Sequence, residues 1–418
     1  MPEDALDRLL AALPQDGPDA GPDWQSAEAH RLLDVAARSD ADGPGFHWLG
    51  DDSRPDRSRP RPLWIACRMT HLFALGALLG RDGDADRADH GVRSLAAGFR
   101  DPHDDGWFTA LAPDGSGPVD DSKAAYEHAF VLLAGASATL AGRPGGRELC
   151  EAAARTVSQR FWSEEEGAAV EEWDRAWTTL DPYRGANANM HMTEAFLAAG
   201  DATGDPVWHA RALAVATKLI DGSARANGWR LPEHYDAAWR PLHDYNEDAP
   251  RHPFRPYGVT PGHGLEWSRL LCHLDATLGD APGWLLEAAR ALFARAVADG
   301  WEAHGGFVYT TDRDGRAVVR DRFHWVHAEA AAAAAALHAA TGDDAYERWY
   351  ERVWDFIATH LADDERGSWH HELDPDNHPA SATWSGKPDA YHVFQALLVP
   401  RLPLAPGFAL ALRTGRLR

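Results

Sequence analysis

The chain predicts an all-α fold: a closed ring of six outer–inner helix pairs, an (α/α)6 barrel, with short β-hairpin loops at one mouth. Three observations predict it. A glycine, followed by an aromatic residue in most copies, recurs at a fixed step. Gly45, Gly106, Gly167 and Gly228 stand 61 residues apart, Gly306 follows after 78, and Gly367 after a further 61. A one-sided amphipathic segment precedes the markers, and a segment apolar on most faces follows them. Each of the second segments also carries a histidine near its start.

In chain order, residues 1–22 are rich in Asp, Pro and Gly and read as a loose N-terminal arm. The segment 26–38 then places Ala29, Leu32, Leu33 and Ala36 at helical spacing. Segments 147–162, 206–219, 284–298 and 346–361 repeat that one-sided pattern, which suits an outer shell. Turn chemistry follows the markers. Ala112-Pro-Asp-Gly115 is one example, and residues 309–315 predict a short hairpin. Inner helices are expected over 63–79, 122–140, 187–199, 261–278, 324–340 and 388–399. Six pairs suit closure, which removes exposed ends. The long fourth step marks an insertion around 235–257, rich in His, Pro and Asp, that suits either a lid or an inert loop. Residues 400–418 are expected as a tail packed on the outside. No composition shift divides the chain, so residues 1–418 read as one domain.

Composition narrows the function classes. A net charge of −23 opposes nucleic acid and anionic membranes as partners. The three cysteines, Cys67, Cys150 and Cys272, lack CxxC spacing, which argues against a disulfide framework or a structural zinc site. Met1–Leu10 lacks the basic and apolar regions of a secretory signal, and no apolar run is long enough to span a bilayer. The expected compartment is the cytoplasm, and the expected partner is a small neutral molecule. Oligomeric state is open between monomer and homodimer.

The inner-helix histidines are His71, His128, His191, His263, His327 and His392. At matched repeat positions they would converge on one mouth. A lone histidine is more often a satisfied core residue, but six with polar companions within a turn point to a shared pocket. Thr260-Pro-Gly-His263 and the run Gly386–His392 read as helix starts with proline near the first position. The positive end of the helix disfavours imidazolium there, so such a histidine stays neutral and serves as a base near pH 7. The 18 tryptophans include Trp107, Trp267, Trp325, Trp369 and Trp384 in marker loops or beside the ring, where flat faces suit a sugar.

The segments Trp64–His71, Asn187–Glu194, Arg255–Trp267 and Lys387–His392 resemble the N-acylglucosamine 2-epimerase superfamily, and within it the aldose–ketose isomerase branch. The resemblance runs from about residue 20 to residue 400. Pro-Gly-His-x-x-Glu-Trp and Lys-Pro-Asp-x-Tyr-His carry it together. It implies an (α/α)6 barrel and proton transfer needing no metal and no cofactor. Its catalytic histidines fall on His263 and His392, and its substrate-binding arginine on Arg68. Asn187, His191, Glu266 and Trp325 follow as pocket residues, with Tyr126 and Glu329 as further ones. Glu266 is expected to hold His263.

The expected reaction interconverts D-mannose and D-fructose through a cis-enediol. His392 is taken as the base at C2, His263 as the group serving ring opening and the O1/O2 proton, and Arg68 as the stabiliser of charge; the reverse order of the histidines satisfies the same chemistry. A sugar 2-epimerase and a sulfoquinovose isomerase are the near alternatives. A glycoside hydrolase would need two carboxylates astride the bond, and Glu127, Glu194, Glu266 and Asp389 are candidates. His191-x-x-Glu194 and His263-x-x-Glu266 offer metal-ligand spacing as a minor reading. A non-catalytic sugar-binding protein is the remaining class.

Overall fold

The computed structural model describes residues 22–418. Its helices come as outer–inner pairs in chain order: α1 (Pro22–Ala36) with α2 (Leu63–Leu78), α3 (Asp84–Arg93) with α4 (Ala125–Leu140), and α5 (Gly146–Thr156) with α6 (Ala186–Thr203). They continue as α7 (Val207–Ala216) with α8 (Pro261–Thr277), α9 (Trp284–Gly300) with α10 (His324–Thr341), and α11 (Asp344–Phe356) with α12 (Tyr391–Leu398). Each even-numbered helix packs on the next even-numbered one, and α12 packs on α2, so the inner ring closes. The expected arm at 1–22 lies outside the described residues except for Pro22, where α1 begins.

Composition explains the layering. Inner helices are buried on nearly every face; in α10 an alanine-rich run from Ala328 to Leu337 is wholly buried. Alanine is both the strongest helix former and small enough for helices to pack closely on two sides. Outer helices bury one stripe, as with Leu149, Cys150, Ala152 and Ala153 of α5. All six marker glycines have positive φ, between 61° and 85°, a turn that side chains with a Cβ rarely make. That requirement accounts for the glycine in every copy of the repeat.

Short antiparallel pairs stitch the units at one mouth. Arg61–Pro62 pairs with Ala110–Leu111, Lys123–Ala124 with Glu172–Trp173, Arg184–Gly185 with His234–Tyr235, and Arg322–Phe323 with Glu372–Leu373. A Val259–Thr311 bridge does the same before α8. At the seam Lys387 N–H donates to Leu49 C=O at 2.8 Å. Each link joins the residues entering an inner helix to the following unit, so all six inner N-termini are held at this mouth. The hairpin expected at 309–315 forms, with Thr310–Thr311 pairing Ala317–Val319.

Two expectations are corrected. Residues 400–418 are more than a tail on the outer shell: α13 (Phe408–Thr414) caps the opposite mouth against α2, α4 and α6, and residues 413–418 stay exposed. Leucines at the far ends of the inner helices, among them Leu133 and Leu140, need that apolar cover. The last inner helix starts at Tyr391 rather than 388, because Pro388 and Asp389 belong to the approach, where Asp389 Oδ1 accepts the Tyr391 N–H at 2.9 Å.

Candidate active site

Helical register decides which side chains reach the axis. The second and sixth residues of an inner helix lie one turn apart on one face. In α2 these are Trp64 and Arg68, and in α6 they are Asn187 and His191. The second residues of α4, α10 and α12 are Tyr126, Trp325 and His392, while α8 presents His263 and Glu266. All of these line one cavity of about 690 Å3 at the stitched mouth, and every inner helix contributes.

The same register corrects the six-histidine ring. His128 and His327 are fourth residues of α4 and α10, turned away from the axis by about 200° relative to the second. Their Nε2 atoms accept the N–H of Trp107 at 3.3 Å and of Phe307 at 3.0 Å, and their Nδ1 atoms meet the carbonyls of Ala124 and Phe323. They anchor marker loops. His71 lies two turns down α2, with Nδ1 2.7 Å from Ser137 Oγ. Three histidines of the six, His191, His263 and His392, reach the cavity, joined there by His324 and His371.

His263 and His392 are mounted alike. His263 Nδ1 lies 2.9 Å from Glu233 Oε2, and Glu233 Oε1 accepts the Thr260 N–H at 3.2 Å. His392 Nδ1 lies 2.8 Å from Glu329 Oε1, whose carboxylate accepts two bonds from Arg269, at 2.7 and 3.2 Å. A carboxylate only accepts, so each Nδ1 carries the proton and each Nε2 is left basic. The Trp325 ring adjoins both imidazoles, at 5.2 Å from His263 and 5.8 Å from His392. Burial first, and the Arg68 charge second, hold the His392 pKa well below the ordinary imidazole value, and the same two causes lower His191. Burial also pushes His324 down to about 4.

Two carboxylate roles differ from expectation. Glu266 does not hold His263; Glu233 does. Glu266 sits 3.7 Å from His191 Nδ1 and 3.7 Å from Arg269, with neither carboxylate oxygen hydrogen-bonded. Burial, then the Glu329 charge, raises its pKa well above the carboxylate range. Glu329 does not line the cavity; it lies behind His392 and is engaged by Arg269. Glu233 and Arg269 escaped the sequence reading. Glu233 falls five residues past marker Gly228, as Glu372 falls five past Gly367. Both accept backbone N–H groups on the way into the next inner helix, so the repeat held that signal.

Arg68 is the cation of the cavity. Its Nη2 donates to Tyr126 Oη at 3.1 Å, its Nη1 lies 3.4 Å from Asp389 Oδ2, and the rings of Trp64, Phe130 and Tyr391 stack within 4.8 Å. Burial works against its charge, but Tyr126 and Asp389 outweigh it and raise the pKa. Asn187 Oδ1 is buried without a partner, so with Glu266 it offers hydrogen-bonding capacity to a ligand hydroxyl. The insertion covers the mouth: Pro253, Phe254 and Pro256 line the cavity, and the Phe254 ring meets Trp64, Tyr126 and Trp384 at 6.1, 5.8 and 5.3 Å. Arg255 beside it stacks on Tyr183 at 4.2 Å and faces Glu171, Glu172 and Asp181 at 3.8 to 3.9 Å.

His191, Glu194 and Glu266, and likewise Glu266, Glu329 and His392, bring ligand atoms within 4.8 Å of one another. The centre of that carboxylate cluster is taken by the Arg269 guanidinium, 3.6 Å from Glu194, 3.7 Å from Glu266 and 2.7 Å from Glu329. A dication there would confront a fixed positive charge.

The sequence and the fold are similar to those of known proteins. The model of the family described as N-acylglucosamine 2-epimerase (GlcNAc 2-epimerase) matches residues 45–396. A D-mannose isomerase of Thermobifida fusca is 56% identical over 395 residues, covering 94% of this chain and 97% of that protein. A D-mannose isomerase of Pseudomonas cannabina pv. alisalensis is 46% identical over 395 residues, covering 93% and 94%. A crystal structure of a D-mannose isomerase superposes with a TM-score of 0.86 at 30% identity, covering 92% of this chain and 99% of that one.

Proposed function

We propose that this chain, which belongs to the N-acylglucosamine 2-epimerase family, interconverts D-mannose and D-fructose by histidine acid–base catalysis. It is an aldose–ketose isomerase. The observation that carries the mechanism is the pair of carboxylate-backed histidines, His263 and His392, flanking Trp325 at the cavity.

The open-chain aldehyde of mannose lies between the two imidazoles. His392 Nε2 removes the C2 proton, and electron density moves to O1, giving a cis-enediolate. His263 moves the proton between O1 and O2, and its Nε2 first assists ring opening. His392 exchanges the proton it took from C2 with solvent and then delivers one to C1, which yields the ketose. Arg68 opposes the charge that develops on the enediolate oxygens, where a fixed, preorganised cation is most effective. Asn187, His191 and Glu266 bind the remaining hydroxyls, and Trp325 and Tyr126 shape the pocket. Glu329 and Glu233 hold the tautomers. The Arg269 guanidinium supports a reaction that needs no metal, since it already neutralises the carboxylates a dication would use.

Mannose is favoured over a sulfonated hexose because Arg255, the other cation near the mouth, is committed to three carboxylates. The Phe254–Trp384 closure favours one sugar ring over two. The site draws on all six inner helices, which supports one functional domain, and one chain supplies all of it, so a monomer is competent and a homodimer compatible. Among the described residues no helix is long and apolar enough to cross a membrane. Three buried free cysteines favour a reducing compartment, the cytoplasm.

Incubation of the purified protein with mannose should give fructose, and His263→Ala and His392→Ala should each lower kcat by roughly 10²–10⁴-fold with folding unchanged by circular dichroism. Turnover surviving in either variant removes that histidine from the mechanism.

A further inference from the structure

We infer that the barrel holds a second ligand site at its far mouth, for an uncharged amphiphile with an apolar body and one hydroxyl, and that its occupancy is felt at His392. A cavity of about 590 Å3 lies there beneath the C-terminal cap. That is close to the size of the sugar cavity. Its walls are largely apolar, with Leu133, Leu140, Leu197, Leu270, Leu404 and Phe408.

Two polar groups in it are unspent. Gln395 is 1% exposed and its Oε1 has no hydrogen-bond partner. His273 is 7% exposed, its Nδ1 lies 2.7 Å from the Leu404 carbonyl, and its Nε2 has no partner. With Nδ1 donating to that carbonyl, Nε2 is an acceptor, as Gln395 Oε1 is. Two bare acceptors in an apolar chamber call for a donor, and leaving them bare is costly. The walls are largely apolar, so a ligand charge would be costly to desolvate there and an uncharged ligand is favoured. A hydroxyl on an apolar body meets these conditions without bringing a charge, its single O–H donating to one of the two acceptors.

Arg269 and Glu194 line the chamber, and Arg269 also lies 3.7 Å from Glu266 of the sugar cavity. Arg269 Nε donates to Glu329 Oε2 at 2.7 Å, and Glu329 holds His392 Nδ1 at 2.8 Å. An occupant pressing on Arg269 therefore loosens the mounting of His392 without entering the sugar cavity.

The test uses 1-hexanol as probe, with hexanoate and hexylamine as charged controls. Ligand-observed NMR on the full-length protein should show saturable 1-hexanol binding that excess mannose does not displace, with weaker binding of both controls. Ala198→Phe, which fills the chamber from α6, should abolish binding and with it the response of kcat to 1-hexanol; Leu197→Trp serves if that variant fails to fold. Saturating 1-hexanol should lower kcat for mannose about fivefold at constant KM in the unsubstituted protein. The kinetic arm rests on the mannose reading and the binding arm does not, so the two fail separately. Absence of saturable binding, displacement by mannose, tighter binding of either charged control, persistence of binding in both filled variants, or binding with unchanged kcat would each overturn the inference.

Discussion

In the proposed mechanism His392 acts as a base only while Nε2 is bare, and Glu329 secures that by accepting the hydrogen bond from Nδ1–H. In Glu329→Gln the side-chain amide can donate to Nδ1 instead, which moves the imidazole proton to Nε2, the wrong nitrogen. The expected result is a loss of roughly 10²-fold in kcat with KM little changed, measured by steady-state kinetics on mannose. The pH dependence follows from the same residue. Its pKa lies below the ordinary 6.5 through burial and the Arg68 charge, so the neutral, active form persists on acidification until the pH is well under that value. The acid limb of kcat/KM should therefore fall below pH 6.5; a limb centred above 6.5 would contradict the reading. At this scale residue types were legible in the sequence and partners were not. His263 and His392 stood out beside helix starts. That Glu233 and not Glu266 backs His263 depends on a strand turn bringing residues 30 positions apart into contact, which helical spacing alone does not encode.

Inner and outer helices approach closely wherever a glycine permits it. At Gly135 of α4 a Cβ would lie 2.8 Å from both the Cα and the backbone nitrogen of Cys150 on α5. Backbone atoms within a helix cannot step aside as a side-chain tip can. Gly135→Ala should therefore destabilise the fold by about 1–3 kcal/mol, read from chemical denaturation, although alanine is the better helix former. An unchanged midpoint would mean that α4 and α5 can separate without cost. Helices were the most legible elements, because the 61-residue repeat superimposes six copies of one pattern. The faces they present were less so. His128 and His327 match the other histidines in sequence step but sit two residues out of register with Tyr126 and Trp325, and a two-residue offset turns a side chain to the far side of its helix.

The whole molecule is a ring closed at its seam by Lys387 and Leu49, and its two mouths differ. The stitched mouth gathers six inner N-termini around the sugar cavity, while the other is capped by α13. Closure was legible from the even repeat. The cap was not, because residues 400–418 carry no copy of the marker and their partners lie on three helices distant in sequence. The net charge of −23 agrees with a neutral substrate, and in the proposed mechanism Arg68 is the cavity's charge that meets the enediolate. The most direct test of the account is an NMR assay of the purified protein with mannose in D2O containing EDTA. The account predicts fructose carrying deuterium at C1. No fructose, glucose as the sole product, or loss of turnover on adding EDTA would contradict it.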